Sequence, residues 1–302
     1  MKEIVILSGK GGTGKTTVAA SFSHLAHKSE RCLPVLVDAD VDAANLELVL
    51  SPRIKEKHDF VGGKVATIDS KLCIACGTCA EVCRFEAIIP PPNVDEAEGM
   101  EVYKVDPIAC EGCATCYYQC PVEAIRMEDR VVGEWLISET RFGPLVHAHL
   151  FPAQENSGKL VSLIKRQARR IALDGGHNCL IVDGPPGIGC PVIAACTGAD
   201  LALIVTEPTV AGIHDLERVL ATTKHFQVPS LVCINKYDIN PAQTHAIMEY
   251  CAEQGIEVVG LIPFDPKVVE AMVQGIPVTE HKDGPASEQL CRMWERVHAQ
   301  LS

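Results

Sequence analysis

The chain has 302 residues, 47% of them hydrophobic, enough to bury a large core in one or two domains, and no apolar stretch long enough to span a membrane. Lys and Arg total 27 against 39 Asp and Glu, and the resulting net charge of −12 disfavours nonspecific binding to nucleic acid or to anionic membrane. The apolar run from Ile4 to Leu7 begins almost at once, leaving no room for a secretory signal, so a cytoplasmic location is expected and the 15 cysteines point to metal rather than to disulfides.

That first apolar run predicts a strand, and a helix is expected from about Lys15 to Lys28. Between them lies Ser8-Gly9-Lys10-Gly11-Gly12-Thr13-Gly14-Lys15-Thr16-Thr17, which contains G-x-x-x-x-G-K-T in the strand-to-helix context of a phosphate-binding loop. Glycines let successive N–H groups turn towards an anion, and the helix N-terminus adds positive potential. Lys15 then reaches the β- and γ-phosphates, and Thr16 ligates Mg²⁺. A buried strand at Leu33 to Val37 leads into Asp38-Ala39-Asp40-Val41-Asp42. Carboxylates at the carboxyl end of a parallel strand lie beside the nucleotide in an open α/β sheet, although Asp38 or Asp42 could also cap the next helix.

From about Lys57 to Gly143 the alternation of strand and long helix gives way to short strands and cysteine clusters, which predicts a module inserted into one nucleotide-binding domain. The expected division is 1–56 with 144–302 for the nucleotide-binding part and 57–143 for the insert. The insert contains Cys73-x₂-Cys76-x₂-Cys79-x₃-Cys83 and Cys110-x₂-Cys113-x₂-Cys116-x₃-Cys120-Pro121, each a bacterial ferredoxin run for a [4Fe–4S] cluster. A shift of 37 residues superposes the two runs and also puts Asp69 on Asp106 and Glu86-Ala87-Ile88 on Glu123-Ala124-Ile125, an internal duplication. In such modules the fourth Cys of each run ligates the other cluster, which assigns Cys73, Cys76, Cys79 and Cys120 to one cluster and Cys110, Cys113, Cys116 and Cys83 to the second. Zinc competes for C-x₂-C pairs, and stoichiometric zinc in place of iron and sulfide near eight each would decide for it. The first run departs from the pattern by carrying Arg84 where the second has Pro121.

The α/β rhythm returns with a helix at about Ser157 to Leu173 and a strand at Cys179 to Val182 ending in Asp183-Gly184-Pro185-Pro186-Gly187. An Asp closing an apolar strand is the Walker B position, suited to Mg²⁺. Strand–helix units follow at Leu201 to Val205 with Ile213 to Phe226, Leu231 to Ile234 with Ala242 to Gln254, and Val258 to Ile262 with Val268 to Val273. A last helix, about Ser287 to Leu301, lines up Leu290, Met293, Trp294, Val297 and Leu301 on one face, as expected for docking on the sheet. Asn235-Lys236-Tyr237-Asp238 matches a guanine-recognition pattern, but four residues alone are weak. Cys32, Cys179, Cys233, Cys251 and Cys291 fall in apolar patterns and read as core. Cys190, with Cys196, stands in the region after Asp183, where ordinary packing is favoured over a bridging cluster.

The motif Lys10-Gly11-Gly12-Thr13-Gly14-Lys15-Thr16 resembles that of the deviant Walker A ATPases, the MinD superfamily with the CobQ/CobB/MinD/ParA nucleotide-binding domain, which also holds the nitrogenase iron protein and the Mrp/Nbp35 carriers. The resemblance extends over essentially the whole chain, and most closely to members with an inserted two-[4Fe–4S] ferredoxin domain. It implies a mainly parallel, doubly wound α/β sheet with a ferredoxin-like α+β insert. It also implies that Lys10 crosses a homodimer interface to the partner's nucleotide, that Asp38 orients the attacking water, and that Asp40 stands on the Mg²⁺ side. Asn235, with Pro263 and Asp265, would hold adenine, making ATP/ADP the cofactor along the loop from Gly9 to Thr17. The expected activity is ATP hydrolysis coupled to electron transfer through the two clusters, with an unidentified redox or iron–sulfur partner and no role for nucleic acid or membrane. The rival expectations are an iron–sulfur cluster carrier and, further off, a positioning ATPase.

Overall fold

The computed structural model describes residues 1–29, 32–91, 102–152, 154, 156–281 and 284–301. The chain divides into two compact units, one of Met1–His58, Trp135–Leu150 and Asn156–Ser302, the other of Asp59–Glu134 with Phe151–Glu155.

In the first unit β1 (Lys2–Ser8) feeds through the glycine-rich loop into α1 (Lys15–Lys28), followed by β2 (Pro34–Asp38) and the short α2 (Leu46–Leu50). The chain leaves along β3 (Arg53–Ile68). In the second unit come α3 (Thr78–Glu81), β4 (Ile88–Ile89), β5 (Lys104–Val105) and α4 (Thr115–Gln119), and β6 (Ile125–Thr140) leads back. Then β7 (Gly143–Leu150), α5 (Ser157–Gly175), β8 (Cys179–Pro186), α6 (Cys190–Cys196), β9 (Leu201–Thr206), α7 (Val210–His225), β10 (Ser230–Asn235), α8 (Pro241–Glu253), β11 (Glu257–Ile262), α9 (Lys267–Val273) and α10 (Pro285–Leu301) complete the chain.

The strands order as β11-β10-β9-β1-β8-β2-β7-β6-β3, and from β11 to β7 every pairing is parallel. Strands β2 and β9 are buried along their whole length, as a parallel sheet covered by helices on both faces requires. The face of α10 that carries Leu290, Met293, Trp294, Val297 and Leu301 is buried in the core, with Trp294 tilted against Phe22 of α1 at 5.0 Å between ring centroids.

Where short strands were expected, the structure has two strands of 16 residues, β3 and β6. In β3 only Phe60, Gly62 and Ala66 are buried, so most of it carries no apolar stripe and the period-2 signal is lost. Residues 135–143, grouped with the insert on sequence, belong to the first unit, because the end of β6 turns through Arg141-Phe142 into β7, which pairs with β2.

A buried ion network ties β1 to α5. Glu3 lies 2.7 Å from Lys165 Nζ and accepts from Arg169 Nε at 2.8 Å, and Lys165 also donates to the carbonyls of Ala195 and Thr197. Burial lowers the Lys165 pKa, while the Glu3 carboxylate works to keep the ammonium charged. Lys165→Met is expected to leave the buried Glu3 carboxylate with Arg169 as its one remaining cation and cost about 1–3 kcal/mol, read as a shifted urea midpoint of the full chain. An unchanged midpoint would remove the network from the account of stability.

Candidate functional site

The loop after β1 wraps towards α1 with its backbone in conformations that only glycine takes easily. Gly12 and Gly14 have φ of +77° and +98°, and a Cβ on Gly14 would sit 2.4 Å from Asn235 Nδ2. Asn235, at the end of β10, donates from Nδ2 to the carbonyl of Thr13 at 2.8 Å, so the tip of that strand holds the loop. Lys15 is buried, and its Nζ donates to Ser8 Oγ at 3.0 Å, while Ser8 donates to the carbonyl of Lys10 at 2.6 Å. Ser8 was not singled out on sequence. It sits at the last position of β1 and its only signal was being the residue before the loop.

Asp38 and Asp183 stand opposite one another in the register of β2 and β8; Asp38 ends β2, and β8 lies between β2 and β1. Both are buried. Asp38 accepts from the N–H of Leu46 at 3.0 Å and of Asp40 at 3.2 Å, so it also anchors the first residue of α2, the capping role weighed on sequence. Burial pushes its pKa well above the usual carboxylate range, Asp183 pushes it further, and the two N–H groups work against that.

Burial likewise pushes Asp183 up to about 7, with the Thr16 hydroxyl and Lys15 favouring its charged form. Thr16 is near enough to act on that charge but completes no hydrogen bond, and both Asp183 oxygens are buried without a partner. Two orphaned carboxylate oxygens beside Thr16 fit a divalent cation, since an unsatisfied buried carboxylate is otherwise costly. Asp40 is half-buried; burial raises its pKa and Lys15 opposes the rise. The three carboxylates in turn favour the charged form of Lys15, against the burial that lowers its pKa.

Lys10 lies 2.5 Å from Glu207, just past β9, and Lys236 approaches the same carboxylate at 3.4 Å. Burial works against the charged carboxylate, but Lys10 and Lys236 together hold Glu207 below the usual range. In a single chain, then, Lys10 is stowed against Glu207, a partner that no sequence motif marked. Asp238 accepts from the N–H of Phe264 at 2.7 Å. Asp265 is buried and accepts from Lys267 N–H at 3.0 Å and Ala286 N–H at 3.3 Å, at the starts of α9 and α10. Pro263 is half-buried in the same segment.

In the second unit the sequence duplication is a duplication of backbone. Gly77 and Ala114 before the two short helices are both left-handed, as are Glu86 and Glu123, each at φ of +52°. The halves exchange bonds: Asp69 N–H donates to the carbonyl of Ala124 and Asp106 N–H to that of Ala87, both at 2.8 Å. Each run's beginning is thereby fixed to the other run's end. Sulfur acceptors repeat as well, with Ala87 N–H on Cys83 Sγ at 3.4 Å and Ala124 N–H on Cys120 Sγ at 3.3 Å. Cys83 joins Cys110, Cys113 and Cys116 around one small cavity, with Ala66, Ala87 and Met127 among its apolar lining. Cys73, Cys76 and Cys79 stand at the matching positions of the first half, and Cys79 and Cys120 pack against the same apolar cluster.

Cys32, Cys179, Cys233 and Cys251 are buried, Cys291 is half-buried, and α6 begins at an exposed Cys190 and ends at a buried Cys196. Among the described residues, no helix is long and apolar enough to cross a membrane.

The profile of the CobQ/CobB/MinD/ParA nucleotide binding domain matches residues 4–278. An uncharacterized protein of Methanocaldococcus jannaschii is 32% identical over 98% of this chain and 96% of its own. A protein of Pyrococcus horikoshii named an iron-sulfur cluster carrier protein is 24% identical, covering 98% of this chain and 85% of its own. Among solved structures, the septum site-determining protein MinD of Pyrococcus horikoshii, complexed with Mg-ADP, has the same fold at a TM-score of 0.56 and 20% identity, over 98% of this chain and 95% of that one.

Proposed function

The chain belongs to the CobQ/CobB/MinD/ParA nucleotide-binding family and is a P-loop ATPase, and from that premise we propose that ATP binding and hydrolysis govern electron transfer through two [4Fe–4S] clusters held by its cysteine unit. The observation that carries the reading is the reciprocal bonding of two ferredoxin-type runs, Asp69 to Ala124 and Asp106 to Ala87, in the same chain as the phosphate loop. That exchange suits the crossed ligand sets Cys73, Cys76, Cys79, Cys120 and Cys110, Cys113, Cys116, Cys83. The C-x₂-C-x₂-C-x₃-C spacing of both runs, repeated with its amide donors on Cys83 and Cys120, favours a cluster over a single ion. When bound, the clusters supply one-electron redox chemistry, and the cysteines take no part in hydrolysis.

In hydrolysis Lys15 and the loop N–H groups hold the β- and γ-phosphates, and Thr16 with Asp183 and Asp40 would hold Mg²⁺, whose charge neutralises the phosphate oxygens. Asp38, fixed by the N–H groups of Leu46 and Asp40, orients water at the γ-phosphate. Lys10 completes the partner's site in a homodimer once it leaves Glu207. Asn235 at the end of β10, with Pro263 and Asp265 following its register partner Ile262 on β11, makes ATP the favoured nucleotide. The cysteine unit falls between Asp38 and Asp183 in chain order, so the segments that respond to loss of the γ-phosphate flank it.

Anaerobic protein is expected to contain iron and sulfide near eight each per chain. Cluster potentials, partner affinity or electron-transfer rate should differ between the ADP form and a non-hydrolysable ATP form, and identical values for all three sink the coupling. A pull-down under the same two conditions would recover the redox partner. The carrier reading has one point in its favour, the relative of that name at 24% identity. Delivery of labelled iron to an apo-protein would select it over electron transfer.

Arg84 is exposed and follows a proposed cluster ligand, so its charge should favour the reduced state of the nearby cluster. Arg84→Pro is expected to move that potential to a more negative value, measured by redox titration, and an unmoved or raised potential contradicts the argument.

A further inference from the structure

We propose that Glu47, His147 and His149 form a binding site for one divalent transition-metal ion of the zinc class, in the first unit and separate from the nucleotide and cysteine sites. His147 and His149 are two apart on β7 and so present their rings on one face of the strand, opposite Glu47 in the first turn of α2. Glu47 Oε2 lies 3.1 Å from His147 Nδ1 and 3.6 Å from His149 Nε2, and the three ligand atoms all fall within 4.8 Å of one another. A tetrahedral ion with bonds of about 2.0–2.1 Å to nitrogen and oxygen sets its ligand atoms about 3.3 Å apart, so little side-chain movement is needed to accept one.

The surroundings match what a metal-binding histidine requires. His147 is buried and its Nε2 is 2.9 Å from Ser138 Oγ; with that N–H donated to the hydroxyl, the lone pair is left on Nδ1, the atom facing Glu47. His149 and Glu47 are each about one-third exposed, leaving an open side for water or a fourth ligand. Two imidazoles and one carboxylate select a borderline ion over Mg²⁺ or Ca²⁺, which take oxygen.

The site adjoins the catalytic carboxylate by two routes. His147 is the register partner of Asp38 across β2 and β7, and Glu47 follows Leu46, whose N–H is held by Asp38. An ion here clamps the first turn of α2 to β7 and thereby braces the segment that positions Asp38. On sequence the trio was invisible, because Glu47 is a hundred residues from a bare H-x-H on a strand that the alternation pattern did not predict.

The test is a zinc titration of the full chain, isolated anaerobically with its iron and sulfide measured, against a chromophoric chelator in millimolar Mg²⁺. Wild type should bind one zinc per chain that is lost from Glu47→Gln and His149→Ala, or bound more than about tenfold more weakly, with iron and sulfide unchanged in all three. Ser138→Ala should weaken it by a smaller factor. Both tested ligands are about one-third exposed, so the variants should fold, and matching circular dichroism checks this. Zinc binding of equal stoichiometry and affinity in wild type, Glu47→Gln and His149→Ala, or none in wild type, overturns the site, whatever the cysteine unit proves to hold.

Discussion

Lys15→Ala is expected to lower kcat/KM for ATP by a factor of at least about 10³, on the order of 4 kcal/mol of transition-state stabilisation, while iron and sulfide content stay at the wild-type level. Lys15 is buried, and burial alone would tend to neutralise it, yet Asp183, Asp40 and Asp38 all favour its charged form, and it donates to Ser8. Its ammonium is therefore held at the mouth of α1 before any phosphate arrives and needs no reorganisation as charge builds on the γ-phosphoryl group. Removing it also takes away the cation that Asp183, Asp40 and Asp38 face and leaves Mg²⁺ alone to balance carboxylates and phosphates, so binding itself should weaken, and calorimetry would show that directly. Lys10→Ala separates the two lysines: nucleotide affinity of the monomer should be little changed, and only dimer-dependent turnover should fall. A Lys15→Ala protein that retains turnover within tenfold of wild type would falsify the assignment of the loop as the catalytic centre.

What the sequence made legible, and what it did not, follows from how local each signal is. The strand, loop and helix from Lys2 to Lys28 were readable because a glycine pattern, an apolar run and a helical run sit side by side, and all three are local constraints. The same holds for the helices and strands after Ser157. Glu207 escaped notice because a lone glutamate after a buried strand looks like any solvated charge, and only the fold brings it to Lys10. The long β3 and β6 escaped for a different reason: in β3 only Phe60, Gly62 and Ala66 are buried while Ile54 and Val61 are exposed, so the hydrophobic period that announces a half-buried strand is not written there. Asp38 shows the overlap between the two kinds of reading. The hydrogen bond it accepts from Leu46 N–H makes it a helix anchor, and its place opposite Asp183 is compatible with the proposed role, so the plain explanation does not compete with the functional one.

The crossing of the cysteine ligands can be decided by pairs of substitutions, because the two wirings predict opposite losses. If Cys83 serves the cluster of the second run, Cys83→Ser and Cys113→Ser strike the same cluster, and the double variant should retain about four irons per chain, as each single variant does. The pair Cys83→Ser and Cys76→Ser should then strike both clusters and retain none. Uncrossed wiring reverses the two doubles. The structure leans towards the first outcome for a mechanical reason: Cys83 shares its cavity with Cys110, Cys113 and Cys116, and the next residues of its chain are tied to the second run by the bond from Asp106 N–H to Ala87. Ala87 in turn donates to Cys83 Sγ, so the sulfur is held from behind by the same residue whose carbonyl fixes the second run. Moving Cys83 to the first run's cluster would require breaking that chain of bonds, and its counterpart through Ala124 and Cys120 would have to break with it, since the two halves are built alike. Iron analysis of the two double variants under anaerobic conditions therefore reads the wiring without needing a structure of the loaded protein.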